Sequence, residues 1–252
     1  MTASVSYTVT GQIGNIVIDS PPVNALSHAV RQGIIECLKV AEADDTEVVL
    51  LRCEGRTFIA GADITEFGKP PLAPALATVL EALESHPKPV IAAIHGTALG
   101  SGLELALCCD YRLAAATAKV GLPEVNLGLL PGAGGTQRLP RLTGLKMAID
   151  MITSGRSLGA GDAQAAGIVD EVSDDDLQQA ALDFAGEVLR QGAGKRLTRD
   201  IPLQFNDDDT ALLSGARDAI AKRLRGQTAP QRILDCLDAA LRGRIESREA
   251  GL

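Results

Sequence analysis

At 252 residues, 46% of them apolar and 22% charged, the chain has the make-up of a folded protein with one extensive core, and disorder is excluded. A formal net charge of −8 argues against non-specific nucleic-acid binding, which depends on Lys and Arg displacing counterions from phosphates. No run approaches the roughly 18 apolar residues of a membrane-spanning helix, Met1 to Thr10 lacks the apolar centre of a secretory signal, and the five cysteines form no CxxC pair, so a reduced, cytoplasmic protein is expected.

With four Phe, two Tyr and no Trp, the core has to be built from Ala, Val, Ile and Leu. Val5 to Val9 and Ile13 to Asp19 read as two strands around a Gly-rich turn. After Pro21-Pro22, Ser27 is placed to cap a helix carrying Val30, Ile34, Ile35, Leu38 and Ala41 at helical spacing. Glu47 to Cys53 reads as a buried strand, Leu72 to Glu84 as a helix and Pro89 to Ile94 as a second buried strand. A Gly-rich turn at Gly96 to Gly102 then leads into a helix through Cys109, followed by a strand at Tyr111 to Ala115. Leu145 to Thr153 and Ala160 to Ala166 read as helices, Ile168 to Val172 as a strand, and Ser173 to Asp176 as the acidic start of another helix. Alternating strands and helices predict an α/β fold. Beyond about Arg190 strand-like runs vanish, and Asp207 to Arg225 and Gln231 to Arg244 read as amphipathic helices. The expected organisation is a core over 1–190 and a helical region over 191–252.

Several motifs fail on context. Gly155 to Gly159 satisfies G-x-S-x-G, but a nucleophile elbow follows a strand and opens a helix, whereas here a helix precedes it. Pro131 to Gly135 is not a dinucleotide fingerprint, since Gln137 stands where the last Gly belongs, and Gly194-Lys195-Arg196 lacks the remainder of a P-loop. His28, His86 and His95 lie far apart with no ligand spacing, so no metal site is expected. His95 reads as a structural histidine, because no nucleophile accompanies it.

Two loops carry more. Phe58 to Asp63 and Gly96 to Gly102 each follow a buried strand, where open α/β sheets bind ligands, and small residues let backbone N–H groups come close. The second loop enters a helix whose free N–H groups favour negative charge. Either loop is equally consistent with a tight turn. Glu104 falls in the first turn of that helix within an apolar run, and Glu124 sits in the stiff stretch Gly121 to Asn126. Each glutamate alone reads as structural; together with a loop that gathers donors they form the kit for chemistry beside a carbonyl.

The segments FIAGADI, HGTALGSGLELAL and VGLPEVNLGLLPGAGGTQRLPRLTG resemble the crotonase (enoyl-CoA hydratase/isomerase) superfamily, and in particular the amino-terminal part of multifunctional fatty-acid β-oxidation enzymes. The resemblance runs from about Val5 to residue 190; the chain ends without the dehydrogenase part of such enzymes. It implies a spiral of ββα repeats with a helical carboxyl-terminal region that serves oligomerisation and covers the active site. It implies a homotrimer or dimer of trimers, an acyl-CoA substrate, no separate cofactor and a possible dehydrogenase partner. The backbone N–H groups of Ala60 and Ser101 are expected to form an oxyanion hole, and Ala60, Gly61, Ala62, Asp63 and Ile64 to line the coenzyme A site. Glu104 and Glu124 match the family's catalytic glutamates, and Gly132 a glycine that helps hold the catalytic water. Ser101 stands where the family has the middle glycine of three, a change that would be strained only at positive φ.

The activity so implied is hydration of a 2-enoyl-CoA, with double-bond isomerisation as the alternative within enzymes and a non-catalytic acyl-CoA-binding protein outside them. Near a helix N-terminus Glu104 is expected to be a carboxylate and the base, and Glu124, in apolar surroundings, to have a raised pKa and deliver the proton. The region around Leu72 to Leu83 is expected to measure the acyl tail.

Overall fold

In the computed structural model, which describes residues 3–203, 207–224 and 226–242, the alternating run Ser4–Thr10 (β1) pairs antiparallel with Ile13–Asp19 (β2) across a turn at Gly11. Ser27 Oγ accepts from the Val30 N–H and caps His28–Ala43 (α1), which buries Val30, Ile34, Leu38 and Ala41. There follow Val48–Cys53 (β3), Leu76–Ser85 (α2), Val90–Ile94 (β4), Thr97–Leu99 (β5), Ser101–Cys108 (α3), Tyr111–Ala115 (β6) and Lys119–Gly121 (β7). Beyond these lie Gly135–Thr143 (α4), Leu145–Ser154 (α5), Ser157–Gly159 (β8), Ala160–Ala165 (α6), Glu171–Ser173 (β9), Leu177–Arg190 (α7), Asp207–Arg223 (α8) and Ala229–Leu241 (α9).

Six strands form one sheet in the order β1-β2-β3-β4-β6-β9, parallel except for β1. Its two faces are both covered. Val48, Leu50, Ile91 and Leu113 pack against Ala181, Ala185 and Val188 of α7, while Val49, Leu51, Ala92 and Ile94 belong to the larger core with α1, α2 and α3. Burial on both faces is why Val48 to Leu51 of β3 and all of β4 read as unbroken apolar runs.

A second, small sheet orders β5-β7-β8, and single parallel bridges extend it from Ala98 to Ile59 and from Ala62 to Leu26. Successive turns of chain therefore give a long strand to the first sheet, a short extended piece to the second, and a helix. This is the spiral of ββα units. In the first two turns the short piece is only a bridge, which leaves no strand-length pattern in the sequence.

Some boundaries differ from expectation. The helix expected from Leu72 starts at Leu76, because Pro74 holds the residue before it out of helical geometry. The strand expected over Ile168 to Val172 is Glu171–Ser173; Ile168 instead donates to Ala163 O in the turn that ends α6. The acidic run does lead into α7, which its last member, Asp176, caps. After α7 the chain returns to the sheet: Arg196 lies 4.5 Å over the Tyr111 ring and its N–H donates to Asp110. Leu213, Ile220, Ile233, Leu234 and Leu237 of α8 and α9 join the core beside α4 and α5. The end of each expected carboxyl-terminal helix, at Arg225 and at residues 243–244, lies outside the described residues.

Candidate active site

The small sheet delivers the chain to the site. Leu99 at the end of β5 donates to Ile59 O at 3.0 Å, and Gly100, at φ 54°, turns the chain into α3. A side chain on Gly102 would collide with the Ile59 carbonyl, and one on Gly100 would lie 3.2 Å from Glu124 Oε1. Ser101 between them is not among the positive-φ residues, so the family's middle glycine is replaced here without backbone strain. Its N–H is the first of α3 and has no intrahelical partner, and its hydroxyl is buried without one.

The expectation for Ala60 needs correcting. Its N–H donates to the Val23 carbonyl at 3.2 Å and so is already engaged. Two residues on, Gly61 O accepts from the Leu26 N–H at 2.9 Å. The Gly61–Ala62 peptide is trans, so its N–H points the opposite way from that carbonyl, away from Leu26. Gly61 itself lies against the Leu99 carbonyl. The Ala62 N–H has no acceptor among the described residues. Ala62, rather than Ala60, presents the unused donor on this loop. Asp63 Oδ1 accepts from the Thr65 N–H and caps a short turn at Ile64–Glu66, and Ile64 is exposed.

Glu104 is 2% exposed, and its Oε1 accepts two backbone N–H groups, from Ala133 and Gly135, at 2.8 Å each. It thus faces the N-terminus of α4 as well as sitting in the first turn of α3. Burial nonetheless pushes its pKa up; those two N–H groups and Arg138 only oppose the shift. Desolvation thus works against the carboxylate preference expected from the helix terminus. Oε2 of Glu104 accepts no hydrogen bond among the described residues.

Glu124 opens the short turn Glu124–Leu127 after Pro123. Its Oε2 is buried without a partner, and its pKa is pushed up to about 7, first by burial and second by the charge of Glu104. The structure therefore brings the two carboxyl groups together, along with the free N–H of Ser101. Gly132 precedes Ala133, and a side chain there would meet nothing nearer than the Leu130 carbonyl at 4.0 Å. His95 Nε2 sits 3.1 Å from Gly55 O, a contact with the turn that follows β3. Ser157 of the G-x-S-x-G run is exposed on β8.

A family model described as enoyl-CoA hydratase/isomerase matches residues 8–210. The chain belongs to the enoyl-CoA hydratase/isomerase family. Within this family it is 38% identical over 232 residues to an enoyl-CoA isomerase/hydratase, fer4, of Mycosarcoma maydis, covering 79% of this chain and 84% of that one. It is 40% identical over 233 residues to a peroxisomal bifunctional enzyme of Danio rerio, covering 92% of this chain but only 32% of that one. The chain therefore spans about a third of the length of that relative. A crystal structure of enoyl-CoA hydratase from Bacillus anthracis shares the fold with a TM-score of 0.69 at 32% identity, covering 99% of this chain and 93% of that one.

Three residues that hold the site of this enoyl-CoA hydratase/isomerase family member escape a reading of its motifs. Leu26 orients the Gly61–Ala62 peptide, Arg138 donates to the Ala133 carbonyl at 3.1 Å, and Glu84 pairs with Arg138 at 2.9 Å. Arg138 stands within the quoted GGTQRLPRL run, but its partner lies 54 residues away, beyond any local pattern. No helix among the described residues is long and apolar enough to cross a membrane.

Proposed function

We propose that the protein adds water across the α,β double bond of a 2-enoyl-CoA to give a 3-hydroxyacyl-CoA, with Glu104 as base and Glu124 as acid. The observation that carries this reading is the inequality of the two carboxyl groups. One oxygen of Glu104 is held by two N–H groups while the other is open, and Glu124 is pushed up to about 7, where it still holds a proton near neutrality. Water attacks the β-carbon and loses a proton to Glu104 Oε2; the electron pair of the double bond moves towards the thioester oxygen; Glu124 delivers its proton to the α-carbon. The developing negative charge on oxygen is met by the N–H groups of Ala62 and Ser101, where loss of one such donor typically costs roughly 3–4 kcal/mol. Residues Ala60 to Ile64 and Gly132 are proposed to line the coenzyme A and water sites. No cofactor enters beyond the coenzyme A carried by the substrate.

The experiment is incubation with crotonyl-CoA, following loss of the conjugated enoyl absorbance. Turnover by the natural sequence, abolished in Glu104→Gln and Glu124→Gln, supports hydration; tight binding without turnover refutes it. Isomerisation is the second reading, supported by the unpartnered Glu124 Oε2, which alone can carry a proton between the α- and γ-carbons.

The acyl tail is proposed to run towards a cavity of about 700 Å³ lined by Ile35, Leu72, Pro74 and Thr78, which a chain-length series tests. The exposed apolar side chains of Ile64, Phe67, Leu127 and Leu129 support assembly as a homotrimer or pair of trimers, measurable by light scattering. A dehydrogenase partner is proposed as well, since the 3-hydroxy product is a secondary alcohol open to oxidation. Five free thiols support a reducing compartment, for which we propose the cytoplasm.

A further inference from the structure

Behind the Ala133–Gly135 turn lies a buried ion pair that the proposed reaction does not use. Arg138 Nε donates to Glu84 Oε1 at 2.9 Å, and Glu84, 4% exposed on α2, accepts from Arg199 on its other oxygen at 2.9 Å. Arg138 Nη1 donates to the Ala133 carbonyl, and a side chain on Gly134 would strike that same guanidinium. Gly134 stands at φ 96°, the left-handed region, which carries the turn around the guanidinium. On the far side of the turn, the N–H groups of Ala133 and Gly135 hold Glu104 Oε1. The Ala133 residue thus has its carbonyl on Arg138 and its N–H on Glu104.

A buried ion pair is weak support for stability, since desolvation offsets most of its attraction. Its geometry does, however, restrict the turn to one arrangement. We infer that Glu84 and Arg138 act as a latch that fixes the Ala133–Gly135 turn, so that its two N–H groups hold one oxygen of Glu104 and leave the other free for the attacking water. Both are positioning residues; neither touches substrate. Arg199 extends the latch to the segment that follows α7, so the return of the chain across the sheet is coupled to the base.

The inference rests on Glu104 being the base, and its test separates the two ideas. The charged and titratable groups acting on Glu104 are Arg138 from α4, Glu124 from the turn beyond β7 and the Cys108 thiol along α3, with Glu84 behind Arg138. Arg138→Met removes the latch and leaves the buried Glu84 with Arg199 as its one remaining cation. The double variant Glu84→Leu/Arg138→Met removes both charges, a change that commonly preserves stability. In both, kcat with crotonyl-CoA falls by about ten- to a hundred-fold, the size of loss that misplacing a catalytic group brings, while KM stays close to its starting value. The acid limb of the pH profile moves up, because Glu104 loses a nearby positive charge and its fixed donors. Arg138→Lys keeps the charge without the fork and recovers the pH profile more than kcat.

A second readout needs no turnover. The Ala133 and Gly135 amide protons, followed by NMR as pH varies, report ionisation of Glu104; in both latch variants their response shrinks and its midpoint rises. Folded variants with unchanged kcat and unchanged amide titration overturn the latch, as does an effect confined to melting temperature. If the natural sequence is inert towards crotonyl-CoA but the amide response still collapses in the variants, the hydratase reading falls and the latch stands.

Discussion

Glu104 and Glu124 face the same site from unequal surroundings: Glu104 Oε1 accepts two backbone N–H groups, whereas Glu124 Oε2 is enclosed with no donor among the described residues. Burial raises both acids, but the charge on Glu104 raises Glu124 further, so the pair is disposed to hold one proton between them. One ionised and one protonated carboxyl group is the state that hydration requires.

On the proposed mechanism, removing either carboxyl group impairs hydration for a different reason in each case. Glu104→Gln and Glu124→Gln are each expected to lower kcat with crotonyl-CoA by about 10²–10⁴-fold, the usual contribution of a positioned acid or base. Steady-state kinetics with crotonyl-CoA and with a 3-enoyl-CoA check this. Isomerisation that survives one of the two changes would assign that reaction to the remaining carboxyl group.

The pH dependence of stability follows from Glu124. Its folded pKa, about 7, lies above the ordinary value of 4.5, so between these the native state binds more protons than the unfolded chain. The stability it contributes is fully present below 4.5 and is lost as pH rises through about 7. Urea unfolding across this window should show the natural sequence losing stability relative to Glu124→Gln. Glu104→Gln should lower the Glu124 midpoint, since the Glu104 charge is the second cause of the shift. A flat difference between the natural sequence and Glu124→Gln would remove the basis for Glu124 as the acid.

The two loop amides separate under backbone ester replacement. An ester at position 62 removes a donor that the folded chain leaves unused, so kcat should fall by roughly 10²–10³-fold with little change in melting temperature. At position 60 the same replacement breaks the hydrogen bond to Val23 and should cost about 1 kcal/mol of stability with kcat largely kept. The opposite pattern would return the role to Ala60.

Ser101 and Gly102 should respond in opposite ways. Ser101→Gly keeps the backbone donor, so its effect on kcat stays far below the roughly 10²–10³-fold loss that follows removal of such a donor. Gly102→Ala drives a methyl group into the Ile59 carbonyl and displaces the start of α3, so kcat and melting temperature should both fall. Melting curves and crotonyl-CoA kinetics on the pair decide it.

Much of the site was legible before the fold. Glu104 and Glu124 are conspicuous because an acid in an apolar run is rare, whereas Ser101 is picked out by the family resemblance of its segment. The donor on the first loop is not legible: the Ala60 N–H expected there donates to Val23 instead. Which amides along Ala60 to Ala62 are free depends on Val23 and Leu26, and nothing within that loop reveals which neighbour takes which hydrogen bond. The upward push on Glu104 is not legible in the sequence either, because a helix terminus is local whereas desolvation depends on everything packed around the residue.

By itself the sequence determined the alternation of buried strands and helices, through periodicity and local composition, and, through the likeness of three motif segments, the family and the two glutamates to look at. Tertiary structure alone decided the direction of each backbone N–H, the enclosure of Glu124 Oε2 and the chain of contacts from Glu84 through Arg138 to Glu104. Those depend on partners tens of residues apart, brought together only when the small sheet and α4 close on α3.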